Sequence, residues 1–346
     1  MIIKNISFLN VRKIALFNEQ FLSETNIIIG PNGSGKTSIL EAIYFLSTGK
    51  SFRKKHSQSI IKNEEKQLQI QGTFDCNKKI KLKLIYDGKK KQIFKDNKII
   101  KTTTELLNTT SIVCISPEET DIIEGYKKEK QQYFDKIIFK IKPKHIQNIK
   151  EYNKILLYRN SLLENNMETG VWDEKLADKG LEIWKTRKEF FVDFLPVLQK
   201  TQNTLETLQN YTTQYHPKNI TNKKDYIKNL QKKTKNNKTE IGPHKDSIEL
   251  LLNNKNIKEY GSQGEKKLLK YILKLSEVEI LKINKKQKTI ILLDDFFAKL
   301  DNKNIMKIFS YFHRKFQVII TTTNTNDQTL KQIQKDNNNI KIFEKK

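Results

Sequence analysis

At 346 residues the chain is long enough for about two domains, or for one large domain carrying an insertion. It is 36% hydrophobic and 30% charged, has no apolar run near the roughly 20 residues a bilayer span needs, and starts MIIKNISFLNV without a leader-like pattern, so a soluble, cytoplasmic protein without membrane partners is expected. The net charge of +26 points to a polyanion, but 60 of the 65 basic residues are Lys and 32 residues are Asn, a drift typical of A/T-rich genomes that dilutes the inference, while two cysteines, Cys76 and Cys114, are too few for a disulfide framework.

In chain order, a strand at 2–9 and a second ending in Asn26-Ile27-Ile28-Ile29 lead into a Gly-rich turn and an apolar-periodic helix at 36–46. Residues 68–100 alternate polar and apolar side chains, and Asp87-Gly88 offers a hairpin turn, which predicts an antiparallel sheet. From about 119 to 204 the period is helical, with Phe134, Ile137, Ile138 and Ile141 on one face. That pattern predicts a helical lobe at 119–240 inserted into a core made of 1–118 and 241–346, with the Lys/Asn-rich stretch 217–240 as a loop or weak helix. The core resumes with a helix at about 264–283, a buried strand at 289–293, a helix near 302–313 and a strand at 317–321, and no long heptad run appears anywhere.

Gly30-Pro31-Asn32-Gly33-Ser34-Gly35-Lys36-Thr37, followed by Ser38, matches the phosphate-binding loop in the strand-to-helix context that gives the motif its meaning. Glycines let the backbone close around phosphates, amide groups at the helix start point at them, Lys36 supplies a point charge and Thr37 a ligand for Mg2+. Ile290-Ile291-Leu292-Leu293-Asp294-Asp295 supplies the partner: a buried parallel strand with carboxylates at its C-terminal end. Asp294 is expected to hold Mg2+, and Asp295 to orient or deprotonate the attacking water, so the catalytic set is Asp295, Asp294 and Lys36. A nucleoside triphosphate site follows.

Gly261-Ser262-Gln263-Gly264-Glu265 opens a helix about 30 residues before the acidic strand, where ABC-type ATPases carry their signature loop. Read alone, it is an N-cap. Leu300-Asp301 stands where the dimer-contacting D-loop belongs.

With these motifs in order, the chain resembles the RecF family of SMC-like ABC-type ATPases over essentially its whole length. The matching stretches are Phe8-Leu9-Asn10, the phosphate loop, Thr48-Gly49-Lys50-Ser51-Phe52-Arg53 and Ser116-Pro117-Glu118-Glu119. They continue through Tyr158-Arg159-Asn160-Ser161-Leu162-Leu163, Trp172-Asp173-Glu174-Lys175-Leu176-Ala177, Gly242-Pro243-His244-Lys245-Asp246, Gly261-Ser262-Gln263-Gly264, Leu293-Asp294-Asp295 and Thr321-Thr322-Thr323. The resemblance implies an α/β fold: an ABC-type ATPase head with an antiparallel β subdomain and an inserted helical lobe, without a coiled-coil arm. It further implies ATP and Mg2+ as cofactors, an ATP-dependent homodimer in which Ser262 and Gly264 reach the partner's nucleotide, and weak ATP hydrolysis. DNA, single- and double-stranded and without sequence preference, would be bound at gaps or strand junctions, with mediator proteins of the RecO/RecR type as further partners in recombinase loading.

Two departures stand out. Ala298-Lys299-Leu300-Asp301 lacks the Ser and Glu usual in the family's D-loop, and Lys127-Lys128-Glu129-Lys130-Gln131-Gln132-Tyr133 replaces a run of Arg contacts. Charge is also uneven: residues 50–101 hold 16 basic and 5 acidic residues, against five acidic and no basic residues at 102–126. The basic block marks the expected DNA face, with Lys50, Arg53, Lys54 and Lys55 as candidate phosphate contacts. A transporter ATP-binding subunit, a small-molecule P-loop kinase and a long-armed SMC-like structural protein, the last disfavoured by the missing heptads, are the competing classes. The long helical lobe and the Thr at the switch position speak against the first, and the signature loop against the second.

Overall fold

A computed structural model describes residues 1–53, 57–75, 78–117, 122–218, 220–232, 237–285, 289–297, 302–313, 315–323, 331, 333 and 340–344. These fall into two compact units, the first comprising Met1–Asp121, Thr204–Glu206 and Ser262–Lys346, the second Ile122–Asn203 and Thr207–Gly261.

The first unit opens with a hairpin of β1 (Ile2–Val11) and β2 (Ile14–Gln20), followed by β3 (Thr25–Ile29) and α1 (Lys36–Thr48). A meander of β4 (Leu68–Asp75), β5 (Lys79–Tyr86), β6 (Lys91–Lys95) and β7 (Lys98–Ile99) precedes α2 (Thr103–Thr109) and β8 (Ile112–Ile115). The second unit holds α3 (Lys127–Ile141), α4 (Lys144–Glu164), α5 (Gly170–Thr204), β9 (Tyr211–His216), α6 (Lys223–Leu230), β10 (Ser247–Leu252), β11 (Lys255–Asn256) and α7 (Ile257–Tyr260). The first unit is then completed by α8 (Gln263–Lys285), β12 (Ile290–Leu293), α9 (Asn302–Phe312), β13 (Gln317–Thr322) and β14 (Ile340–Glu344).

Two sheets make the first unit: an antiparallel one in the order β2-β1-β4-β5-β6-β7, and a parallel one in the order β14-β3-β13-β12-β8. Strands β12 and β8 are buried at every position and read as short unbroken apolar runs rather than alternating ones, and β3, equally buried, adds Ile27-Ile28-Ile29 after Thr25 and Asn26. One apolar core joins both sheets through α1, with Ile39, Leu40, Ile43, Phe45 and Leu46 packed among Ile6, Phe8, Ile70, Leu84, Ile28, Leu292 and Ile319. Gly49 ends the helix in the left-handed conformation at φ 68°, its amide donating to the Phe45 carbonyl, so the first residue of the 49–53 segment is a helix C-cap.

The sequence placed the return from the helical lobe at 241. In the structure residues 241–261 belong to the second unit, because β10 pairs with β9 along its whole length and Asp246 is buried there. That carboxylate accepts from Trp184 Nε1, the Tyr215 hydroxyl and Arg187 at 2.9, 2.5 and 3.0 Å, while the Nε and Nη2 edge of Arg187 grips Asp135 in a bidentate pair. Gly242-Pro243-His244-Lys245-Asp246 is thus a structural turn of the second unit. Gly242 sits at φ 141° with the Tyr152 hydroxyl 2.1 Å from where a Cβ would stand. A short helix, α6, occupies part of the stretch 217–240 expected as a loop or weak helix, its N-cap Asn222 accepting from the Asp225 amide.

Candidate nucleotide site at the parallel strand ends

Register in the parallel sheet sets the site. Leu293 lies beside Ile115 and Ile320, and Ile29 beside Thr322, so the loops that leave β3, β12, β8 and β13 emerge at one edge. Gly30-Pro31-Asn32-Gly33-Ser34-Gly35 follows β3, with Gly33 and Gly35 at φ 82° and 94°, conformations that disfavour any side chain. A Cβ on Gly35 would also stand 3.0 Å from the Ile14 side chain, whereas the space beside Gly33 is open. The Ser34 hydroxyl is buried without a hydrogen-bond partner, and the Ser38 amide donates to the Gly35 carbonyl as α1 begins. An open glycine, an orphaned hydroxyl and a helix N-terminus together fit an anionic group.

Lys36 Nζ donates to the Gly30 and Pro31 carbonyls at 2.7 and 2.8 Å. Burial lowers its pKa, while Asp295 and Asp294 oppose that shift. Thr37 Oγ1 donates to Asp294 Oδ1 at 2.8 Å, across 257 residues of chain. Asp294 is 6% exposed and is further held by Thr321 Oγ1 on Oδ1 at 2.8 Å and Ser116 Oγ on Oδ2 at 2.9 Å. Three hydroxyl donors compensate the removal of this carboxylate from water. Thr321 Oγ1 in turn accepts from the Asp295 amide at 3.0 Å, so one side chain ties both carboxylate residues to β13. Asp295 itself is left-handed at φ 53°, a strained backbone for a non-glycine. Tyr271 stands close enough that burial first, and the Asp295 and Asp294 charges second, push its hydroxyl well above the usual tyrosine range.

The structure therefore brings Lys36, Thr37, Asp294 and Asp295 together at the loop 30–35. Ser116 and Thr321 stand in matching stretches that carry no expected role for them; their sequence signal is position, one residue past a buried strand and near the end of another. Thr37 and Asp294 form the two-ligand set that suits Mg2+ held mainly by phosphate and water. Among the described residues no group of three or more His, Cys, Asp or Glu is arranged for a protein-only metal site.

Ser262 and Glu265 make a reciprocal capping box on α8: the Ser262 amide donates to Glu265 Oε2 at 2.7 Å and the Glu265 amide to Ser262 Oγ at 3.3 Å. Ser262 and Gly264 are both exposed. Of the candidate phosphate contacts, Lys50 is exposed, whereas Arg53 is turned toward the fully buried Glu41, its Nε 3.5 Å from Oε2. Glu41 also receives a bidentate Arg12 at 2.9 and 2.7 Å and the Ser51 hydroxyl at 2.5 Å. A carboxylate on α1 without water demands such countercharge, so Arg53 anchors the 49–53 segment to the phosphate-loop helix rather than standing free for DNA. Lys54 and Lys55 lie outside the described residues, as do Glu118, Glu119 and the D-loop segment 298–301.

The family model described as RecF/RecN/SMC N terminal domain matches residues 2–346. The chain belongs to the RecF family. It is 31% identical to the DNA replication and repair protein RecF of Alkaliphilus oremlandii over 343 residues, covering 93% of each chain. Against the same-named protein of Clostridioides difficile it is 29% identical, covering 99% of this chain and 96% of the other. Among solved structures, the recombination mediator protein RecF with ATP superposes with a TM-score of 0.84 at 29% identity, over 94% of this chain and 92% of the other. The Smc head domain of Pyrococcus furiosus, at 16% identity and a TM-score of 0.53, shares the fold. This is the ABC-type ATPase head expected from the motifs, and the described residues include no coiled-coil arm. No described helix is long and apolar enough to cross a membrane.

Proposed function

We propose that this chain is an ATP-dependent DNA-binding protein of recombinational repair and replication, and a weak ATPase that acts in the cytoplasm as an ATP-driven homodimer. The observation that carries the reading is the contact of Thr37 with Asp294 at the ends of β3 and β12, beside Lys36 and Asp295. Gly30 to Ser38 would cradle the triphosphate, Lys36 would leave its loop carbonyls for the β/γ oxygens, and Thr37 with Asp294 would hold Mg2+, which when bound neutralises charge on the transferring phosphoryl group. Asp295, held at its amide by Thr321, orients the attacking water. Ser262 and Gly264, exposed at the start of α8, would meet the γ-phosphate held by a second copy.

DNA binding is carried by the antiparallel sheet. Along β5, Lys79, Lys81 and Lys83 alternate with the buried Leu82 and Leu84, which puts three ammonium groups in a row on the face turned away from α1. Their cross-strand neighbours on β4 are Asp75, Thr73 and Gln71, so across that strand pair a carboxylate faces Lys79 and neutral side chains face Lys81 and Lys83. Such contacts go to phosphate and are sequence-independent. Gaps and single-strand/double-strand junctions are the proposed targets, and mediator proteins of the RecO/RecR type the proposed partners.

Composite sites make a sharp test. Lys36→Ala and Ser262→Ala proteins should each lose ATP-driven dimerisation in sedimentation, and their mixture should recover a dimer with one intact site. If either variant alone dimerises with ATP as the parent does, the shared-site arrangement is wrong.

A further inference from the structure

Two of the matching segments, 158–163 and 172–177, are only partly accounted for by the interior of the second unit. Arg159 is buried and donates to Asp173, Thr239 and the Leu230 carbonyl at 2.6, 2.8 and 2.7 Å. Asn160 Oδ1 accepts from the Thr239 amide and hydroxyl, and Leu176 and Ala177 are fully buried. Tyr158 and Trp172 do none of this. They stack on one another at the surface, between α4 and the first turn of α5, with ring centroids 5.2 Å apart and planes 22° from parallel. Tyr158 is 50% exposed and Trp172 partly exposed.

Each ring also carries a lysine. Lys154 Nζ stands 5.9 Å from the Tyr158 centroid and Lys175 Nζ 5.1 Å from that of Trp172. Of the nearby carboxylates, Glu151 pairs with Lys179, Glu164 with Lys238, Asp178 with Lys223 and Asp173 with Arg159, while Glu168 and Glu174 are exposed to solvent. Among the described residues, Lys154 and Lys175 form no ion pair, so two solvent-facing cations border the stacked rings. Leu157 and Val171, 72% and 65% exposed, widen the apolar surface beside them.

We propose that Tyr158, Trp172, Lys154 and Lys175 form a binding subsite for single-stranded DNA. An unpaired base stacks on an outer face of the ring pair, displacing the lysine there, and the two ammonium groups take the flanking phosphates. Aromatic stacking accepts any base, and the cations follow the backbone, so the subsite is sequence-tolerant and salt-sensitive. It rests on the DNA-binding reading above and adds a place for the unpaired strand.

The chain provides its own probe, because Trp184 is 2% exposed and Trp172 is the other of its two tryptophans. Titrating the full chain with an oligothymidylate in the presence of ATP should quench tryptophan emission saturably. Trp172→Phe should abolish the quench while keeping binding, since a phenyl ring still stacks. Removing both rings with Tyr158→Ala and Trp172→Ala should weaken oligothymidylate binding about tenfold or more and leave blunt-duplex binding unchanged. Lys154→Gln with Lys175→Gln, which keeps the rings and the fold, should flatten the salt dependence for the oligonucleotide only. Saturable binding without quenching, or wild-type affinity in the double alanine protein, overturns the proposal. So does loss of a protein partner in that variant with oligonucleotide binding intact, which would make the patch a protein-docking surface. If the parent chain binds duplex but not the oligonucleotide, this subsite alone fails; if it binds neither, the DNA-binding reading fails with it.

Discussion

Thr321→Val isolates the tie that the structure places on both acidic residues. Valine keeps the β-branched shape at a position 1% exposed, so no cavity opens, yet it removes the donor to Asp294 Oδ1 and the acceptor for the Asp295 amide. A hydrogen bond to a charged group contributes about 1.5–3 kcal/mol, and a buried amide left without an acceptor costs about 1–3 kcal/mol. The two share one atom and are not additive, so a loss of about 3 kcal/mol in urea unfolding is expected. Asp294 keeps Thr37 and Ser116, which limits its displacement, while Asp295 loses the acceptor for its amide and is free to relax its left-handed backbone. Hydrolysis should suffer more than binding: single-turnover ATP cleavage should slow about tenfold or more, and affinity for a fluorescent ATP analogue should change less. Unfolding within about 0.5 kcal/mol of the parent together with unaltered cleavage would refute the role given to Thr321.

In the second unit, Arg159→Ala leaves Asp173 buried and uncompensated, so urea unfolding followed by far-ultraviolet circular dichroism should show a loss of about 3–5 kcal/mol. Gly242→Ala must place a methyl group 2.1 Å from the Tyr152 hydroxyl at φ 141°, and should cost about 3 kcal/mol or more by the same assay. His244 donates from Nε2 to the Thr239 carbonyl at 3.2 Å and accepts at Nδ1 from the Tyr152 hydroxyl at 2.7 Å; burial lowers its pKa from 6.5 to about 4. The folded state therefore binds fewer protons than the unfolded chain between those values. Stability from this group is complete above pH 6.5 and is lost as pH falls through 4, by up to about 3 kcal/mol, and His244→Asn should flatten that slope in urea unfolding measured across the interval.

The phosphate loop and the acidic strand of the candidate site were legible because each is a local sequence pattern. The phosphate loop needs glycines at φ 82° and 94° within one turn, and the acidic strand announces itself by four buried apolar residues before two carboxylates. Thr321 and Ser116 were not legible, since their role comes from the register of β13 and β8 beside β12, and a lone hydroxyl near a strand end has no local signature. Arg53 misled for the same reason: a basic residue in a basic block looks solvated until a buried Glu41 from α1 is found beside it. The lobe boundary slipped because β10 carries the apolar pattern of a core strand, while its pairing with β9 lies in the second unit. Strand β2 escaped notice because most of its side chains are exposed, and α2 and α7, of 7 and 4 residues, are too short to show a period.

ATP-dependent DNA binding is tested most directly by measuring the affinity of the full chain for gapped, tailed and blunt duplexes with and without ATP over a series of salt concentrations. The account predicts tighter binding with ATP, preference for gapped or tailed ends, a steep fall with salt and no gain from ATP in Lys36→Ala. Affinity independent of ATP on every substrate, or an undiminished ATP effect in Lys36→Ala, would contradict it.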